Sequence, residues 1–121
     1  MYRFSRVSPL LRSTFGVAAG AAHGTEIPYV FDRLTADESQ YEEIDRTVSR
    51  AMAGAWVQFA KTGNPNGASL PQWPAYAAPE YRMLEYGNEI AAGSNANSTN
   101  VDFFQRVFET MRLKPVGPSK H

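Results

Sequence analysis

The sequence predicts a mixed α/β domain, and three observations carry that prediction. Apolar residues recur at spacings of three and four through Tyr41, Ile44, Val48, Met52, Ala55, Trp56 and Phe59, and again through Val101, Phe104, Val107, Phe108 and Met111, which marks two amphipathic helices. Strand-forming runs stand on either side of the first stripe, at Tyr2 to Phe4 with an extension toward Val7, and at Tyr81 to Tyr86. A chain of 121 residues allows one domain with one modest core.

Taken in order, the first strand begins almost at residue 1, which is unusual for an independent domain because termini fray. The expectation is therefore a single partial domain over residues 1–121, cut out of a larger fold. Ser8-Pro9 through Gly24 reads as a long connection dominated by Gly16, Ala18, Ala19, Gly20, Ala21, Ala22 and Gly24. Small side chains let backbone approach backbone or ligand closely, and long loops in compact domains are often functional. Thr35-Ala36-Asp37-Glu38 offers polar caps and first-turn acids for the start of the first long helix, and Gly63 followed by Asn64-Pro65-Asn66-Gly67 stops it.

Residues 64–81 are rich in Pro, Gly and aromatics, and Trp73, Pro74 and Tyr76 are expected to pin this loop to the core. Gly87-Asn88 is the expected turn between the 81–86 strand and a return strand at Glu89 to Ala91. Thr99 or Asn100 is the expected cap of the second long helix, and residues 114–121 are expected to form a flexible tail.

Composition removes several classes of function. Twelve basic residues balance twelve acidic ones, so charge gives no argument for nucleic acid or an anionic membrane. The absence of cysteine removes disulfides, thiolate nucleophiles and zinc–thiolate sites. No apolar run approaches the roughly 18 residues of a spanning helix. Met1 to Val7 lacks the apolar centre of a signal peptide. No compartment is assigned, and the lack of a signal peptide slightly favours the cytoplasm. Asn97-Ser98-Thr99 is a glycosylation sequon that matters only in a secretory setting.

Chemistry narrows to one histidine. His121 is the last residue, whereas His23 sits between Ala22 and Gly24, sterically open, just before the apolar run Ile27 to Phe31. An imidazole titrating near neutrality suits proton transfer. These neighbours leave His23 open between an ordinary loop residue and a general base. Glu26, three residues on, either joins His23 at a metal or holds the loop by accepting hydrogen bonds. With no third ligand evident, no metal is expected, and no other cofactor. A serine nucleophile needs a Gly-x-Ser-x-Gly turn between strand and helix. Gly67-Ala68-Ser69-Leu70-Pro71 lacks the second glycine and is followed by proline, so Ser69 is rejected.

The segment His23-Gly24-Thr25-Glu26-Ile27-Pro28-Tyr29-Val30-Phe31 resembles the catalytic-histidine motif of the type-B carboxylesterase family, which includes para-nitrobenzyl esterases and cholinesterases. Trp56 to Asn66 (WVQFAKTGNPN) looks like the family's helix-end signature, and Trp73-Pro74-Ala75-Tyr76, the strand around Met83 and the leading Tyr2-Arg3-Phe4 follow the same order. The resemblance spans roughly residues 2–90. It implies a C-terminal part of an α/β-hydrolase fold with few strands and two main helices. It also implies carboxylic-ester hydrolysis by a serine mechanism in which His23 is the triad base and Glu26 orders the turn carrying it.

The chain departs from the family in having no nucleophile elbow, no oxyanion-hole glycine run and no acid upstream of the histidine. Because losing triad members costs many orders of magnitude, the segment alone is expected to be inactive. The expected partners are a small-molecule ester in the complete enzyme and an N-terminal region that completes the triad. The alternative is a non-catalytic remnant that self-associates through exposed apolar faces.

Overall fold

Each element of the computed structural model, which describes residues 1–16, 18, 20–35, 37, 39–94 and 98–112, begins where a local signal allows and is held where distant residues meet. The order is β1 (Tyr2–Phe4), α1 (Pro9–Phe15), α2 (Ile27–Val30), α3 (Glu43–Thr62), β2 (Arg82–Tyr86), β3 (Ile90–Ser94) and α4 (Ser98–Arg112). The sheet runs β1-β2-β3, with β1 parallel to β2 and β2 antiparallel to β3. Tyr2 pairs with Leu84 and Phe4 with Tyr86, so one face of β1 and one of β2 turn toward α3.

The stretch read as loop after Ser8 contains a helix. Ser8 Oγ accepts the Leu11 N–H at 3.3 Å and Pro9 takes the first helical position, where its missing N–H costs nothing. The Ser-Pro pair was itself a helix-start signal. α3 begins later than the polar run around Asp37 suggests. The Asp37 carboxylate accepts from the Ser39 N–H (2.9 Å) and Oγ–H (2.6 Å), closing a turn of its own instead of capping a helix. Those bonds also hold the Asp37 carboxyl below its ordinary range. Glu42 is extended, its N–H donates to Asp45 Oδ2 at 2.7 Å, and the helix starts at Glu43. At the far end Gly63 adopts φ +74, the left-handed stop that favours glycine, and its N–H closes onto the Phe59 carbonyl at 2.7 Å.

The α3 stripe buries Val48, Met52 and Ala55 against the sheet and α2, while Phe59 at its end stays exposed. Tyr29, Tyr41, Leu84 and Tyr86 complete the core. Trp73 pins the 64–81 loop as expected: its ring lies 5.5 Å from Trp56 and 5.9 Å from Tyr2, and its Nε1–H donates to the Met1 carbonyl at 2.8 Å. The β2–β3 turn has three residues, because Tyr86 pairs with Ile90 and the Gly87 N–H bonds the Glu89 carbonyl at 3.1 Å. The return strand therefore runs Ile90–Ser94, beyond Ala91.

α4 starts at Ser98, so Thr99 and Asn100 lie inside it. Asn97 and the 114–121 tail fall outside the described residues. Tyr81 O–H donates to Asp102 at 2.6 Å and ties α4 to the start of β2, while Phe103, Phe104, Phe108 and Met111 remain between 56% and 64% exposed.

Candidate active site

Backbone turns place His23. The Thr25 N–H donates to the Ala22 carbonyl at 3.3 Å, with its Oγ1 on the same carbonyl at 2.8 Å, and the Ile27 N–H donates to the Gly24 carbonyl at 3.3 Å. Gly24 has φ +82, which a side chain would strain, so the glycine after His23 is required by the turn itself. His23 is exposed, and its imidazole makes no hydrogen bond or ion pair to another described residue. Exposed Ile27 and Phe31, one helical turn apart, lie just beyond it.

Glu26 shares the turn with His23. Its carbonyl accepts both the Tyr29 and Val30 N–H groups at 3.0 Å, starting α2. Its charge reaches β1, where burial and then Glu26 raise the Tyr2 hydroxyl above its ordinary pKa. The two sequence-selected residues therefore come together in one turn, without a side-chain hydrogen bond between them. Among the described residues, no three His, Asp or Glu side chains gather to hold a metal ion.

Behind the turn lies a buried polar network that sequence reasoning missed. Asp45 is fully buried in the first turn of α3. Arg6, just after β1, donates Nε to Asp45 Oδ1 at 2.6 Å and Nη2 to Oδ2 at 2.8 Å, and its guanidinium also bonds Glu42 and, at 2.7 Å, Asn88. The Tyr29 hydroxyl donates to Asp45 Oδ1 at 2.7 Å. Burial pushes the Asp45 carboxyl up, but these bonds and the Glu42 N–H outweigh it and hold it below its ordinary range. Burial and then the bond to Asp45 raise Tyr29. One signal was present in the sequence: Asp45 is an acid set within the apolar stripe of α3, which a helix tolerates there only when the charge is paired. An apolar groove of about 590 Å³ lined by Trp56, Phe59, Trp73 and Tyr76 lies apart from His23 and does not include it.

A three-stranded sheet with a parallel pair, a long helix packed over it and a histidine on a glycine turn ahead of a short helix define a part of an α/β-hydrolase fold. Residues 1–104 match the model of the carboxylesterase family, and the chain belongs to that family. It is 32% identical to dog carboxylesterase 5A (Canis lupus familiaris) over 97% of this chain and 22% of that protein. It is 36% identical to human bile salt-activated lipase (Homo sapiens) over 71% of this chain and 12% of that one. A solved PNB esterase superposes with a TM-score of 0.64 at 27% identity, covering 84% of this chain and 20% of the other. The chain thus spans about a fifth or less of the length of the relatives it matches. Among the described residues, no helix is long and apolar enough to cross a membrane.

Proposed function

We propose that this chain supplies the general base of a serine carboxylesterase acting on small-molecule carboxylic esters, with His23 as that base. The observation that supports this reading is an exposed imidazole, unpaired toward the other described residues, on a turn anchored from behind, in a chain of the carboxylesterase family. The serine and the triad acid come from a region outside these residues.

Neutral His23 takes the proton of the serine hydroxyl as its oxygen attacks the ester carbonyl carbon. The imidazolium then gives that proton to the departing alkoxide, releasing the alcohol and leaving an acyl-serine. A water molecule repeats the cycle, its proton passing through His23 to the serine oxygen as the acid departs. Glu26 orders the turn at the root of α2. By itself the chain performs no triad chemistry.

The test combines this chain with a carboxylesterase N-terminal region carrying Gly-x-Ser-x-Gly and assays a short-chain nitrophenyl ester. Hydrolysis is expected to appear, and His23→Ala to lower kcat by at least about 1,000-fold. Restored activity that survives His23→Ala unchanged overturns the assignment.

The exposed apolar residues of α4 favour a second reading, in which the chain self-associates through Phe103, Phe104, Phe108 and Met111. Light scattering decides it: a soluble monomer without a partner counts against it.

A further inference from the structure

α2 has four residues, one helical turn, far below the length at which a helix holds itself in water. Its position is imposed from outside. Hydrogen bonds run without a break from the Ala22 carbonyl to Thr25, from the Gly24 carbonyl to Ile27 and from the Glu26 carbonyl to Tyr29 and Val30. Whatever fixes Tyr29 therefore fixes the His23 turn.

We infer that Tyr29 and Asp45 are positioning residues for His23, together holding the turn that presents the imidazole. This inference rests on His23 being the triad base. Tyr29 is 1% exposed and Asp45 0%. The two Asp45 oxygens receive four donors: Tyr29 O–H, Arg6 Nε, Arg6 Nη2 and the Glu42 N–H. A carboxylate with its acceptor positions so occupied has little freedom to move, and neither has the hydroxyl bonded to it. One turn along α3, Ser49 Oγ lies 3.1 Å from the Tyr29 carbonyl oxygen and 2.7 Å from Asp32 Oδ1. α3 thus grips the short helix twice, at the tip of Tyr29 and at its main chain. A base must hold within a fraction of an ångström of its partner, and a catalytic group displaced by about 1 Å loses on the order of 100-fold in rate.

Tyr29→Phe isolates the effect, because it removes one hydroxyl and keeps the ring packed on Phe4, 4.9 Å away. In the chain alone, amide hydrogen exchange over residues 25–30 is expected to accelerate about tenfold while amides 48–60 of α3 keep their protection. In the complemented esterase, kcat is expected to fall about tenfold at unchanged KM. Tyr86→Phe, at a buried tyrosine whose hydroxyl has no hydrogen-bond partner among the described residues, is expected to change neither. Wild-type exchange over 25–30 in Tyr29→Phe, or equal acceleration throughout α3, overturns the inference alone. Activity that survives His23→Ala overturns the base assignment and with it the catalytic half of the inference.

Discussion

Arg6 and Asp45, 39 positions apart in the chain, meet at 2.6 Å with both side chains out of water. The pair joins the end of β1 to the first turn of α3, and through Tyr29 it reaches the histidine turn.

Arg6→Ala leaves the Asp45 charge buried without its partner. Urea denaturation is expected to record a loss of about 3–5 kcal/mol, the usual cost of breaking a buried pair from one side. Asp45→Ala on that background is expected to add little, because the pair acts as a unit. Strictly additive losses in the double variant contradict the coupling.

Stability is expected to depend on pH at both extremes. Burial raises the Asp45 carboxyl, and the Arg6, Tyr29 and Glu42 hydrogen bonds outweigh it, so the folded value lies below the unfolded one. The stabilisation is complete above the unfolded carboxyl value of about 3.9 and is lost as pH falls below that through the folded value. On the alkaline side, burial and then Tyr2 push the Tyr86 hydroxyl up to about 12. That contribution is complete below the unfolded tyrosine value of about 10 and disappears as pH climbs through the folded value. Melting temperature across pH, with tyrosinate absorbance alongside, checks both. Tyr86 ionising near pH 10 while the fold persists would falsify the alkaline half.

Met52 and Val57 lie on opposite sides of α3, the first fully buried and the second exposed. Met52→Ala is expected to cost about 2–5 kcal/mol through lost burial and the cavity left behind. Val57→Ala is expected to stay within about 0.5 kcal/mol. Similar denaturation midpoints for the two variants would show that the helix faces have been misassigned.

His23→Ala is expected to leave the melting curve of the chain almost unchanged, within about 0.5 kcal/mol, because the side chain is exposed and ties down no other described residue. A cost of several kcal/mol would mark His23 as a structural residue and weaken its assignment as a base.

Features set by neighbouring residues are legible in the sequence alone. The α3 and α4 stripes are legible because a 3.6-residue period repeats within each segment, and Gly63 ends α3 because few other residues take φ +74 at low cost. His23 and its glycine turn were likewise visible as a short motif. α1 too has a local start signal, Ser8 as its cap followed by Pro9. Two further local features set where α3 starts: Asp37 closes a turn onto Ser39, two residues on, and Asp45, three residues on, takes the Glu42 N–H and opens the helix at Glu43. The remaining features exist only in the folded chain. α2 is too short to form on propensity, and it exists where Asp45 and Ser49 hold it. Arg6 is one arginine among many in the sequence, and it became the centre of the network only when folding brought Asp45, Glu42 and Asn88 around its guanidinium. A pairing across 39 residues leaves no periodic trace in either segment, because its energy comes from charges meeting away from water and not from the residues beside them in the chain.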